Sequence, residues 1–98
     1  MLDHVVLLKL KPTVTREQLE RMARELRKLQ QHIPGILSVT IGPSTSPEHM
    51  EHGFTYGFVM HFKDAAARDA YLPHPEHQRV AAKCIAPLVE DFLVFDCD

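Results

Sequence analysis

The stretch His4-Val5-Val6-Leu7-Leu8-Lys9-Leu10 decides the fold of this chain. It is almost entirely apolar and rich in β-branched and aliphatic side chains, which is typical of a β-strand. Successive side chains of a strand point to opposite faces, so His4, Val6 and Leu8 share one face while Val5 and Leu7 share the other. Both faces of the strand are therefore apolar, and both need a cover.

A helix and two further strands are predicted after this stretch. Thr15 and Gln18 match the capping-box signature of a helix start. Apolar residues then recur at three- and four-residue steps as far as Pro34-Gly35, which predicts an amphipathic helix of about four to five turns. Strands are predicted over Ile36–Ile41 and Phe54–Phe62, on either side of a polar loop.

The last third of the chain predicts two helices and a final strand. Asp64 is placed to cap a short helix that reaches Tyr71. A second helix is predicted over Pro75–Val89, interrupted at Pro87, and a strand over Phe92–Phe95. The order β-α-β-β-α-α-β indicates a single α+β domain over residues 1–98, a ferredoxin-like antiparallel sheet with helices on one face.

The final predicted strand is also apolar on both sides. Phe92 and Val94 face one way, while Leu93 and Phe95 face the other. A sheet with helices on one face should alternate between apolar and polar residues, and these strands do not. Because so short a chain has helices for one face only, we expect a homodimer in which two sheets pack face to face.

Composition excludes several classes of partner. The net charge is −2, with acidic and basic residues interleaved, so neither nucleic acid nor an anionic membrane is an expected partner. No apolar run approaches the roughly 20 residues of a membrane span. The start of the chain lacks the pattern of a secretory signal, so we expect a cytoplasmic protein in which Cys84 and Cys97 are reduced thiols.

The heptad Tyr71-Leu-Pro-His74-Pro-Glu-His77 carries most of the potential chemistry. A structural interpretation is available for it, in which His74 caps a helix that starts at Pro75 and His77 bonds either a backbone carbonyl or Tyr71. Metal binding is not expected, because two histidines around a proline do not match a known ligand spacing. Gly-rich phosphate loops and other cofactor motifs are absent from the sequence, so any chemistry is expected to need no cofactor.

Five segments together resemble the stress-responsive dimeric α/β-barrel (Dabb) family, and they follow one another in the order found in that family. The segments are His4–Lys11, Ile33-Pro-Gly-Ile36 with Ser38 and Gly42, Phe62-Lys-Asp64, Tyr71-x-x-His74-Pro-x-His77, and Asp91–Asp96. The resemblance implies a homodimer whose two sheets close into an α+β barrel. It thereby agrees with the two-faced strands.

The resemblance also implies candidate catalytic residues. In a plant cyclase of this family, which closes a linear polyketide thioester by an aldol condensation, the catalytic histidine and tyrosine fall on His77 and Tyr71. A pocket histidine near its amino terminus falls on His4, and Tyr56 replaces a further one. Imidazole suits proton abstraction near neutral pH, and a phenol suits hydrogen bonding to the developing oxyanion.

We therefore predict an apolar pocket for a small hydrophobic molecule, with His77, Tyr71 and His4 as catalytic groups. The residues predicted to bind the substrate are Tyr56, His74, Met22, Ala23 and Leu26. The predicted function is cofactor-independent, cyclase- or lyase-like acid–base chemistry on a polyketide-like or aromatic carbonyl compound. The alternative is a non-catalytic, stress-protective binding dimer whose histidines are structural.

Overall fold

A computed structural model describes all 98 residues of the chain. Four strands form one antiparallel sheet in the order β2-β3-β1-β4, and the helices pack on one of its faces. The elements are β1 (Leu2–Leu10), α1 (Arg16–His32), β2 (Ile36–Pro43), β3 (Tyr56–Phe62), α2 (Ala65–Tyr71), α3 (Pro75–Val80) and β4 (Val89–Cys97). The predicted α+β ferredoxin-like fold and order of elements are confirmed.

The helix starts form as their sequences indicate. The Gln18 backbone N–H donates to the Thr15 hydroxyl at 3.2 Å, and the Thr15 backbone N–H donates to the Gln18 side chain at 2.8 Å. The Asp64 carboxylate accepts from the Ala67 N–H at 2.8 Å and caps α2. Side-chain oxygens thus satisfy backbone donors that have no partner within the helix.

The region before the last strand differs from the prediction. Helical turns run from Pro75 to Leu88, close to the predicted Pro75–Val89, but they do not form one α-helix, because α3 gives way to a π-helical turn over Ala81–Ile85 and a 3₁₀ turn over Ala86–Leu88. The Ala86 N–H bonds the carbonyl of Ala81, five residues earlier. Pro87 lacks an N–H and cannot continue an α-helical ladder, so the chain leaves the helix here.

Strand lengths also differ from the prediction. β4 extends to both sides of the predicted Phe92–Phe95, β2 continues to Pro43, and β3 begins at Tyr56 instead of Phe54. Pairing with β1 explains the added length of β4, since Asp3 pairs with Cys97 and Leu10 with Val89. Hydrogen bonds to a neighbouring strand set such boundaries, and they are not visible in a local pattern.

The two faces of the sheet have opposite surroundings. On the inner face, His4, Val6 and Leu8 of β1 are buried beneath the helices. On the outer face, Leu93 and Phe95 are 49% and 65% exposed. No helix of the chain covers the outer face. β1 and β4 therefore carry apolar side chains on both faces in the structure, as the sequence indicates.

β4 is an edge strand that the helices do not fully reach. Phe92 and Val94 lie on the same side as His4, yet each is 55% exposed. The inner face is therefore covered over β1 and β3 but open over β4. This opening positions the candidate site.

Gly35 is predicted to be required for seating α2 against the sheet. Its φ is +91°, and a Cβ there would lie 2.5 Å from the Cβ of Ala67. Left-handed strain costs about 1–2 kcal/mol and overpacking about 1–3 kcal/mol, so Gly35→Ala should lower the free energy of unfolding by about 2–5 kcal/mol. A Cβ on Gly42 meets nothing within 4 Å, which makes Gly42→Ala the matched control. Equal urea midpoints for the two variants would contradict this account.

Candidate functional site

Three predicted catalytic residues meet at one cavity. His4 comes from β1, Tyr71 from the end of α2 and His77 from α3, and all three line a space of about 450 Å³. The remaining lining is almost entirely apolar: Val6, Phe58, Leu72, Gln78, Ala81, Ala82, Ile85, Ala86, Val89, Phe92 and Val94. An apolar pocket with a few convergent polar groups is the usual form of a small-molecule site.

His4 is held by a carboxylate on the neighbouring strand. It pairs directly with Asp96 across β1 and β4, and its Nδ1 lies 2.6 Å from Asp96 Oδ1. The other carboxylate oxygen accepts from Arg68 Nη1 at 2.8 Å. An ionised carboxylate only accepts hydrogen bonds, so Nδ1 of His4 carries the proton and Nε2 of a neutral ring is left as the acceptor.

Asp96 is kept ionised by its two partners. Its partial burial alone would raise the pKa of the carboxyl. Hydrogen bonds from Arg68 and His4 favour the charged form more strongly, so the pKa of Asp96 lies below its ordinary value. The carboxylate is therefore available to orient the His4 ring at neutral pH.

Tyr71 lies between the two histidines. Its ring centroid is 4.2 Å from that of His77 and 5.9 Å from that of His4. The residue is only 1% exposed, and burial raises the pKa of its phenol above the ordinary value. The hydroxyl therefore stays protonated and acts as a hydrogen-bond donor.

His77 is neutral and oriented by the backbone. Its Nδ1 lies 2.8 Å from the Leu72 carbonyl oxygen. A carbonyl only accepts, so Nδ1 donates and Nε2 of His77 is free of a proton. Burial lowers the pKa of His77, the bond to Leu72 partly opposes this, and nearby His4 and His74 lower it further. The ring is thus a proton acceptor at neutral pH.

Other predicted site residues lie outside this cavity. His74 accepts from the Glu76 N–H at 3.1 Å as the N-cap of α3. Met22 and Leu26 lie on the buried face of α1 and are enclosed in the core. Tyr56 lines a separate concavity.

The apolar wall predicted for α1 is formed by other segments. Ala23 lies on α1 and is partly buried, but it is not among the residues that line the cavity. Residues of α3 and of the π-helical turn form the wall instead, including Ala81, Ala82 and Ile85. The short side chains of the alanines leave the space that the cavity occupies.

Sequence reasoning missed Asp96 and Arg68. Asp96 is 92 residues from His4 along the chain, and Arg68 is 28 residues from Asp96. The signal available for Asp96 was its place on the same face as Phe92 and Val94, which puts it on the His4 side of the sheet. Nothing local to Arg68 distinguishes it from the other arginines of the chain.

A larger concavity of about 840 Å³ lies on the outer face. It is formed by the polar loop between β2 and β3 and by sheet residues that include Leu7, Gly57 and Leu93. The smaller cavity is the better candidate site, although the outer one has more volume, because the smaller one gathers the two oriented imidazoles and the phenol.

Comparison with known families agrees with this architecture. Residues 2–98 match the stress-responsive A/B barrel domain family, Dabb. The chain belongs to this family. A curated relative of the Dabb domain is a stress-response A/B barrel domain-containing protein of Arabidopsis thaliana, at 27% identity over 98% of the chain. The chain spans about a third (36%) of the length of that relative.

Solved structures share the fold of the Dabb domain. A dimeric ferredoxin-like protein of unknown function from Jannaschia sp. CCS1 is 30% identical, with a TM-score of 0.85 over 99% of this chain and 97% of that chain. A hydroxynitrile lyase from Passiflora edulis is 20% identical, with a TM-score of 0.87 over 98% of this chain and 90% of that chain. At that identity the lyase shows the fold alone. None of the helices here is long and apolar enough to cross a bilayer.

The titration of His77 tests the electrostatics of the site. Burial should place its NMR titration midpoint below the ordinary value of 6.5. As the pH falls below 6.5, His77 takes up a proton in the unfolded chain before it does so in the folded one. Protonation therefore lowers the stability of the folded state under acidic conditions. Between pH 7 and pH 5, the free energy of unfolding measured in urea should fall less for His77→Gln than for the unmodified chain. A midpoint at or above 6.5 would overturn this account of the site.

Proposed function

We propose that this Dabb domain is a cofactor-independent acid–base enzyme that acts on a small neutral carbonyl compound of polyketide-like or aromatic type. The observation that carries the proposal is the convergence of His4, Tyr71 and His77 on one apolar cavity. Two oriented imidazoles and a protonated phenol supply both a base and a donor. Cyclase- and lyase-type reactions at carbonyl compounds need these two functions.

The lining supports a neutral substrate. No Lys, Arg, Asp or Glu side chain lines the cavity. A carboxylate or phosphate group inside would leave water without gaining a charged partner, which is costly. An aromatic or acyl carbonyl compound, by contrast, packs against Phe58, Phe92 and Ile85 and presents its oxygen to the polar end.

The proposed chemistry begins with removal of a proton alpha to the carbonyl. An Nε2 atom of His77 or His4 accepts the proton as the C–H bond breaks. The electron pair of that bond moves to the carbonyl oxygen, which Tyr71 stabilises by donating a hydrogen bond. In a cyclase the carbanion equivalent then attacks a second carbonyl carbon, the π electron pair of that carbonyl moves to its oxygen, and the imidazolium gives this oxygen the proton. Otherwise the imidazolium returns the proton to carbon.

We further propose that the active form is a homodimer joined through the outer faces of two sheets. The exposed outer-face side chains include Leu7, Leu93 and Phe95. An apolar sheet face of this kind marks an interaction surface, and a second copy offers a matching one. The neighbour from Jannaschia is described as dimeric, which supports a dimer.

A non-catalytic, stress-protective binding dimer is the second candidate, and one observation favours it. His74 and His77 each make a local hydrogen bond of structural value, one as a helix cap and one to the Leu72 carbonyl. If those bonds are their whole role, the cavity binds without turnover.

Tyr71→Phe separates catalysis from packing. The ring stays in place while the hydroxyl is lost, so melting temperature should change little. Exchange of the methyl protons of acetophenone with D₂O, followed by NMR, should slow by about 100-fold or more, the cost of removing one oxyanion donor. His77→Ala should likewise reduce exchange. Exchange that persists at the original rate in Tyr71→Phe would remove Tyr71 from the mechanism.

Phe95→Glu tests the dimer. A carboxylate on the outer face would have to be buried against the partner, so the variant should elute as a monomer at concentrations where the unmodified chain is dimeric. Gln31→Glu adds the same group to the exposed end of α1 and serves as the control. Light scattering that gives a dimer for both variants would place the interface elsewhere.

A further inference from the structure

The cavity has a charged support behind it that the proposed reaction does not itself require. His4 is 4% exposed, and no other histidine and no Lys, Arg, Asp or Glu of the chain is buried. It is tied through Asp96 to Arg68, so three elements (β1, β4 and α2) meet at one carboxylate. A buried imidazole is ordinarily placed where its hydrogen bonds are specified, because an unsatisfied one is costly.

We propose that Arg68 is a positioning residue of this site, which clamps the Asp96 carboxylate and thereby fixes His4 as a proton acceptor facing the cavity. The proposal rests on the proposed function for its catalytic meaning. Its structural content, the clamp and the orientation of His4, can be tested without any substrate.

The geometry of Arg68 supports a clamp. Its Nη1 donates to Asp96 at 2.8 Å while its Nε donates to Asp69 at 2.9 Å. The guanidinium is planar with fixed donor directions, which suits it to hold one carboxylate in a defined geometry. The Arg68 and Asp96 side chains are only 22% and 21% exposed, unlike that of Asp69 at 65%. The Asp96 contact is therefore the sheltered one.

The clamp acts on the tautomer of His4. A carboxylate that only accepts forces the proton onto Nδ1 and leaves Nε2 as the acceptor. Only one side-chain polar atom is fully buried without a regular hydrogen bond, and it is His61 Nδ1, which lies beside the Asp3 carboxylate. Nε2 of His4 is therefore not a buried atom of this kind. His4 also lines the cavity. Its acceptor nitrogen is therefore open to a ligand.

The charged and titratable groups around His4 leave Arg68 as the cation that supports this arrangement. Asp96 faces it from β4, Tyr71 from α2 and His77 from α3. Tyr71 is a neutral donor and His77 a neutral ring. Without Arg68, Asp96 would have only His4 to favour its charged form, and its proton affinity would rise.

The same logic governs the aspartate of the serine-protease triad, which orients a histidine and holds its tautomer. The difference is the added cation. An arginine on the far side of the carboxylate restricts its rotation, and it also opposes transfer of a proton from His4 to Asp96. His4 thus returns its proton to the substrate instead of losing it to its support.

The test compares Arg68→Gln with Asp69→Asn by nitrogen-15 NMR of the His4 ring and by acetophenone exchange. In the unmodified chain the ring should be protonated at Nδ1, with a bare Nε2. Arg68→Gln should give a mixture of tautomers, raise the titration midpoint of Asp96, and slow exchange by about 10–100-fold, the usual scale for loss of an outer-shell partner. Asp69→Asn keeps the Asp96 contact and should stay within about twofold, as for an exposed ion pair.

Two further variants keep the proposal open to contradiction should Arg68→Gln fold poorly. Arg68→Lys retains the charge without the fork and should fall between the unmodified chain and Arg68→Gln. Asp96→Asn presents an amide that donates to Nδ1, so it should drive His4 to the opposite tautomer. An unchanged tautomer and exchange rate in Arg68→Gln, with stability alone reduced, would overturn the proposal and leave Arg68 as a structural contact between α2 and β4.

If the unmodified chain does not exchange acetophenone, the proposed function fails. The tautomer of His4 still decides the role of Arg68 in that case.

Discussion

The structure depends on one constraint, which is that β1 and β4 carry apolar side chains on both faces while helices of the chain cover only one. Val6 and Leu8 are buried under the helices, whereas Leu93 and Phe95 on the other face are exposed. Apolar area in contact with water costs free energy in proportion to its extent. A sheet of this kind needs a second cover, and we propose that a matching sheet of another copy provides it.

The same shortage of cover produces the candidate site. The helices end before they reach across β4, so an opening remains between that edge strand and α3. The π-helical turn at Ala81–Ile85 widens the wall there, and small residues line it. β4 then contributes Asp96, whose carboxylate orients His4 from the adjacent strand. The strand order therefore both places β4 at the edge of the sheet and leaves the opening in which the candidate site lies.

The sequence predicted the features that depend on local chemistry. The capping box at Thr15 and the Asp64 cap involve residues three positions apart, and both form. The two-faced strands were visible because strand periodicity is two residues. Hydrogen bonding with partners far along the chain was not visible, and the length of β4 and the turns after α3 depend on it.

The site was predictable in part for the same reason. Tyr71 and His77 belong to one heptad, and the inner-face position of His4 follows from strand alternation. The contact of His4 with Asp96 requires the register of β1 against β4, which no local pattern gives. Met22 and Leu26 lie on the apolar face of α1, and the spacing of residues on such a face is the same whether the face lines a pocket or packs in the core. In the structure they pack in the core.

The central claim is that a second copy covers the outer face, and isotope-filtered NMR on a mixture of labelled and unlabelled chains tests it most directly. The filter retains only contacts between different chains. Intermolecular NOEs should connect the Phe95 ring and the Leu93 methyl groups of one chain to outer-face side chains of another. A folded chain that shows none from these residues, with both side chains in contact with water, would contradict the account.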